Sequence, residues 1–201
     1  GGTGKSTTAM HLMVALMRVG YAVGSIDLDA RQGTLSRYIT NRGNATDLAG
    51  QPLLMPEHRR IERSTVVDRA RAEAEERARL EEAFDALADC QFIVVDTPGS
   101  DSYLSRLGHV NADILVTPLN DSFLDIDVLA VIDRDRREVL GPSVYSQMVW
   151  EQNNRRVIEG RAPIDWIVMR NRLTHVEARN KREIAELLEL LEAASLFADD
   201  E

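Results

Sequence analysis

The sequence predicts an α/β protein with a mostly parallel sheet flanked by helices on both faces. Three observations carry that expectation. Apolar runs at residues 21–29, 91–96, 112–117 and 164–169 are nearly continuous, as strands covered on both faces must be. Helical patterns lie between and after them. Each run ends in polar residues, where open α/β sheets gather their ligands.

Taken in order, residues 5–19 place Ala9, Leu12, Met13 and Leu16 at helical spacing, and Gly20 supplies a stop. The strand at 21–29 ends in Asp27-Leu28-Asp29. Residues 34–41 read as a short helix and 42–57 as a connection containing Gly, Pro and Asn. From about Arg60 to Ala88 a long, mixed-charge helix is expected, with Glu–Arg pairs marking a solvated face. The strand at 91–96 runs into Thr97-Pro98-Gly99, that at 112–117 into Pro118, and that at 164–169 into Arg170-Asn171-Arg172. Helices are expected near 123–137, 145–160 and 175–196. With no internal repeat or low-complexity tract, residues 1–201 read as one domain.

Composition narrows the class. The 44% apolar content over 201 residues suits one core of ordinary size. No apolar run approaches the ~18 residues of a membrane span. Cys90 is the single cysteine, which excludes an internal disulfide or a Cys-rich metal site and reads as a buried structural thiol in a reducing cytoplasm. A net charge of −9 argues against a uniformly basic nucleic-acid binder while leaving room for a local patch. Only Lys5 and Lys181 are lysines among the 24 basic residues, so a chain that nearly avoids lysine keeps one at position 5. His11, His58, His109 and His175 show no metal-ligand spacing and read as structural or surface residues. Trp150, Trp166, Met148 and Met169 read as core.

The chemistry begins at the first residue. Gly1-Gly2-Thr3-Gly4-Lys5-Ser6-Thr7, leading directly into a helix, reads as a phosphate-binding loop. Its glycines let backbone N–H groups curl around an anion, Lys5 adds a point charge for β- and γ-phosphates, and the Ser6 hydroxyl suits Mg²⁺. The full motif needs a further Gly five places before Gly4, so the match is partial at its left end. Such a loop normally comes after a buried strand, and the chain is therefore expected to be incomplete at its N-terminus; a truncated C-terminus is expected as well. Asp96, closing an apolar strand before Thr-Pro-Gly, is the expected acid behind Mg²⁺, against a competing reading as a turn cap. Gly99 would let the backbone approach the γ-phosphate. Asp27 is assigned to the Mg²⁺ shell and Asp29 to orienting the attacking water. Capping of the helix near residue 34 is the alternative for both.

These residues reach a family. The loop, the Asp27-Leu28-Asp29 segment and Val94-Val95-Asp96-Thr97-Pro98-Gly99 resemble the ParA/MinD deviant-Walker ATPases. Within that group, Thr117–Phe123, Pro142–Ser146 with Val149-Trp150-Glu151, and Asp165–Leu173 resemble the MipZ family of division-plane positioning ATPases, over about residues 1–185. The resemblance implies an ATP-dependent homodimer, with a signature lysine placed immediately before Gly1. It implies adenine recognition by Asn171 and Arg172, a role a carboxamide can fill and one that competes with a plain strand-ending turn. It also implies non-specific DNA binding, a ParB-like centromere-binding partner and inhibition of FtsZ assembly, in a cytoplasmic, nucleoid-associated protein. Arg172, Arg179, Lys181 and Arg182 lie on or beside one expected helix and form the candidate DNA patch, with a solvated helix face as the alternative. The acidic end, residues 196–201, is unlike the amphipathic helix of a MinD-type membrane cycler.

The expected function is a slowly hydrolysing, ATP-dependent and Mg²⁺-dependent dimerisation switch. A ParA-type chromosome or plasmid partition ATPase and a P-loop small-molecule kinase or transferase are the competing readings.

Overall fold

A computed structural model describes residues 2–120, 127–133, 136, 138–171 and 189. Two compact units are present, one formed by residues 5–108 and the other by residues 1–4 with 109–201.

In the first unit, α1 (Lys5–Val19) buries Ala9, Met13 and Met17 at four-residue spacing. It stops at Gly20, whose φ of 104° is a left-handed conformation that L side chains rarely adopt and whose N–H bonds Met17 O at 3.0 Å. The buried stripe packs on Val23 and on Leu35 and Ile39 of α2 (Thr34–Gly43). β1 (Val23–Asp27) is buried at all five positions because it lies between two parallel neighbours, β2 (Glu57–Arg60) and β3 (Phe92–Asp96). The strand is shorter than the expected 21–29, since Leu28 and Asp29 already belong to the turn toward α2.

Two expectations for this unit are corrected. Residues 57–60 are a strand, which takes the end of the predicted connection and the start of the predicted helix, and the charged helix begins only at α3 (Arg69–Asp85). Asp68 caps α3, its carboxylate accepting the Arg71 N–H at 2.9 Å. The sequence Glu57-His58-Arg59-Arg60 has no apolar alternation, and its strand conformation comes from pairing with β1. Charged side chains on an edge strand also discourage pairing with another chain. Cys90 is half-buried rather than fully enclosed. It sits beside Gly24, where an added Cβ would stand 3.3 Å from its sulfur, and burial pushes its thiol pKa up. Beyond β3, α4 (Tyr103–Asn111) buries Leu104 and Leu107.

The second unit pairs β4 (Ile114–Asn120) with β7 (Asp165–Asn171) in parallel, and β5 (Ala130–Asp133) with β6 (Glu138–Pro142) in antiparallel. The hairpin replaces part of the helix expected near 123–137, of which 123–126, 134–135 and 137 lie outside the described residues. Pro118 sits inside β4, which has one hydrogen-bonded neighbour among the described strands, so its missing N–H is tolerated. α5 (Val144–Ile158) is capped by Ser143, whose hydroxyl accepts the Ser146 N–H at 3.0 Å.

The buried face of α5 is Ser146, Met148, Val149, Gln152 and Arg156. Trp150 faces the other way and is 64% exposed, which corrects its assignment to the core. Trp166 is half-buried and donates from Nε1 to Thr117 Oγ1 at 3.0 Å, and Met169 is half-buried too. Arg156 is 2% exposed because every direction of its guanidinium is used. It donates to Ala162 O, Val110 O and Asp113 Oδ1 at 3.0, 3.1 and 2.8 Å. The helix expected at 175–196 falls outside the described residues save 189.

Candidate functional site

In the unit of residues 5–108, parallel pairing places Asp27 of β1 directly opposite Asp96 of β3. Both carboxylates are buried, at 0% and 4% exposure. Their surroundings differ. Asp27 Oδ1 accepts the Asp29 N–H at 3.0 Å, and Oδ2 accepts both the N–H and the hydroxyl of Ser36 at 3.1 and 2.6 Å. Asp27 therefore holds the turn after β1 and caps the first turn of α2 from outside the helix. The capping alternative describes its hydrogen bonds.

Ser6 stands near enough to Asp96 to favour its charged form, while Asp96 Oδ2 is buried with no hydrogen-bond partner among the described residues. Its pKa is pushed up to about 6, first by burial and then by the neighbouring Asp27 and Asp29 charges, against the lowering effect of Ser6 and Lys5. A buried carboxylate oxygen without a donor, beside a serine hydroxyl, fits a hard cation that keeps most of its remaining shell for phosphate and water. No cluster of three His, Cys, Asp or Glu side chains able to hold a metal occurs among the described residues.

Lys5, Ser6 and Thr7 form the first turn of α1, whose leading N–H groups have no intrahelical acceptor. Lys5 lies against the loop after β3: a Cβ added to Gly99 would stand 3.1 Å from Nζ. Glycine at 99 thus lets that loop approach the lysine. Asp29 is half-buried just past the end of β1, and its carbonyl accepts the Gly33 N–H at 2.7 Å.

In the other unit, Gly2, Thr3 and Gly4 form the loop preceding α1, and Gly4 has a φ of 90°. Asn171, the last residue of β7, donates from Nδ2 to Thr3 O at 2.8 Å. A side chain at Gly4 would collide with that same nitrogen, so conformation and space both demand glycine. Asn120 ends β4 in register with Asn171 and donates to Gly2 O at 3.4 Å. Asn120 carries no role in the sequence reading, although its place at a strand end matches that of Asn171. Gly1, Arg172, Arg179, Lys181 and Arg182 lie outside the described residues.

Sequence reasoning also passed over Ser25, Ser36 and His58. Ser25 Oγ lies 2.9 Å from His58 Nδ1, and Ser36 Oγ lies 3.0 Å from His58 Nε2. His58 stands in a charged run with no local signal, and only the β1–β2 register brings it beside Ser25.

Comparison with known proteins decides the family. The family model of ATPase MipZ matches residues 1–195. The chain belongs to the MipZ ATPase family. It is thus a P-loop ATPase of the ParA/MinD type, and the α/β expectation holds.

Solved structures share the fold at low identity. Cobyrinic acid a,c-diamide synthase from Mycobacterium smegmatis, with an ATP analogue and magnesium, is 19% identical with a TM-score of 0.56, over 98% of this chain and 79% of that one. An ATP complex of Cyanothece McdA is 16% identical with a TM-score of 0.57, over 96% and 75%. A plasmid partition protein from Borrelia burgdorferi is 16% identical with a TM-score of 0.55, over 94% and 81%. No curated protein sequence matches the chain. No helix among the described residues is long and apolar enough to cross a membrane.

Proposed function

We propose that this MipZ-family ATPase binds ATP with Mg²⁺, hydrolyses it slowly, and uses nucleotide state as a dimerisation switch that positions the division plane. The single observation that carries this is the buried, donor-free Oδ2 of Asp96 beside the Ser6 hydroxyl, with Lys5 close by. In phosphoryl transfer the protein's work is positioning and electrostatics. Lys5 offsets charge on the β- and γ-phosphates. Ser6 and Asp96 would hold Mg²⁺, which would supply positive charge to offset that of the phosphates. Asp29 orients the attacking water. Both oxygens of Asp27 accept protein hydrogen bonds, so its share in the Mg²⁺ shell is through its charge and through water. Asn171 contributes to the adenine pocket while bracing the loop at Thr3, and Gly1 and Arg172 complete the nucleotide contacts.

The finer reading is the family's. The ATP-bound homodimer binds nucleoid DNA without sequence preference through Arg179, Lys181 and Arg182, works with a ParB-like partner, and inhibits FtsZ assembly in the cytoplasm. The fold shared with a plasmid partition protein favours one rival, a ParA-type partition ATPase. Direct inhibition of FtsZ polymerisation separates the two.

The first test is the solution mass of the full-length Asp29→Ala variant by light scattering, with ATP–Mg²⁺ and with ADP. A dimer with ATP alone supports the switch. A monomer in both states overturns it and brings forward a small-molecule transferase. In the same protein, Lys5→Ala is expected to weaken ATP binding at least tenfold, read by fluorescent-nucleotide titration.

A further inference from the structure

We propose that Ser36 and His58 are positioning residues for hydrolysis, fixing the Asp27 carboxylate and, through it, the backbone that carries Asp29. The inference rests on the reading of Asp29 as the group that orients water.

The proton order along the network is set by its chemistry. Asp27 Oδ2 accepts the Ser36 hydroxyl at 2.6 Å, so the one hydrogen on Ser36 Oγ is committed to the carboxylate. Toward His58 Nε2, 3.0 Å away, Ser36 Oγ is then an acceptor, and Nε2 carries the proton. With His58 neutral, Nδ1 is a lone pair facing Ser25 Oγ at 2.9 Å, and the one Ser25 hydroxyl hydrogen lies between it and the Glu57 carbonyl, 3.3 Å from Oγ. The result is a directed chain from His58 through Ser36 to Asp27, with Ser25 against the far nitrogen of the imidazole. Burial lowers the His58 pKa, and Arg59 and Arg60 add to that while Asp27 opposes it, so the neutral form that completes the chain prevails at neutral pH.

The chain's far end controls the active-site turn. Asp27 Oδ1 holds the Asp29 N–H at 3.0 Å, and its Oδ2 ties the same carboxylate to the first turn of α2. Arg60, next but one to His58, pins the other side of this turn by donating to Ala30 O at 2.8 Å. Three elements thus converge on the segment from 27 to 36: β1 through Ser25, β2 through His58 and Arg60, and α2 through Ser36. A carboxylate that merely capped a helix would need only the Ser36 N–H. The imidazole behind the hydroxyl adds orientation, and orientation is what in-line attack by a water requires.

The test uses the full-length protein with Ser36→Ala, His58→Ala, His58→Gln and Asp29→Ala. Ser36→Ala and His58→Ala are each expected to lower kcat about tenfold with KM for ATP within twofold. The double variant should lose little more than either single one, because both act through Asp27. His58→Gln, whose amide can donate to Ser36 Oγ, should recover kcat to within about threefold of wild type. Without nucleotide, hydrogen exchange at the Asp29 amide should speed up about tenfold in Ser36→Ala and stay near wild type in His58→Gln.

If Asp29→Ala loses hydrolysis while Ser36→Ala and His58→Ala keep wild-type kcat, the positioning role fails and the water-orienting role of Asp29 stands. If Asp29→Ala itself hydrolyses ATP at the wild-type rate, both readings fall. Equal losses in His58→Ala and His58→Gln, with unchanged Asp29 exchange, also overturn the inference.

Discussion

The tips of β1 and β3 carry the same residue at the same height of the sheet, and the two sites have opposite chemistry. Asp27 accepts three hydrogen bonds from its own chain, whereas Asp96 Oδ2 is buried with no donor among the described residues. The difference lies in the path the chain takes beyond each strand. After β1 the chain turns back so that Asp29 and Ser36 present N–H groups to Asp27. After β3 it proceeds through Pro98 and Gly99 and offers Asp96 no such donor. A buried carboxylate satisfied by protein braces the chain around it, while one left unsatisfied calls for an explanation, which the proposed Mg²⁺ supplies for Asp96.

The sharpest way to break this contrast is to neutralise each acid in turn. Asp96→Asn should lower Mg²⁺-dependent hydrolysis by between about a hundredfold and a thousandfold, the range for removing one group that stabilises transition-state charge. Steady-state ATPase assays across Mg²⁺ concentrations check this, and full activity at high Mg²⁺ would contradict it.

The same substitution should raise stability without metal. The folded-state pKa of Asp96 lies above its ordinary 3.8, near 6, so the folded protein holds this proton more tightly than the unfolded chain. Stability is then fully present below 3.8 and is lost as pH rises through about 6, by about 3 kcal/mol in all. The stability gap between Asp96→Asn and wild type, measured by denaturant unfolding in chelator, should open over that window in favour of the variant.

Asp27→Ala should behave in the opposite sense. It strips acceptors from the Asp29 and Ser36 N–H groups and from the Ser36 hydroxyl, and should cost about 2 kcal/mol at neutral pH. The midpoint of urea unfolding reads it directly. A smaller effect belongs to His58, whose folded pKa is lowered below 6.5 by burial. Here the contribution is present above 6.5 and is lost as pH falls through the folded value. A His58→Gln variant should lack that acid-side decline, which runs counter to the trend from Asp96.

Much of the candidate site was legible because its parts are local. Loop glycines, Lys5 and Ser6 are adjacent in sequence, and Asp27 and Asp96 each end an apolar strand. Residues 57–60 defeated pattern reading because a charged edge strand carries no periodicity. His58 was invisible for the same reason, its place beside Ser25 being set by pairing across β1 and β2, and Ser36 because only the turn into α2 brings it to Asp27. Trp150 was misplaced because a large apolar side chain does not declare which side of a helix will be covered.

Local spacing thus sufficed for an α/β nucleotide-binding protein, since strand hydrophobicity and phosphate-loop chemistry are written into consecutive residues, and the resemblance of its motifs supplied the family. Tertiary structure alone distinguished the two acids. Their sequence contexts are alike, and the difference lies in donors supplied by residues up to nine positions away, which only the turn into α2 can deliver.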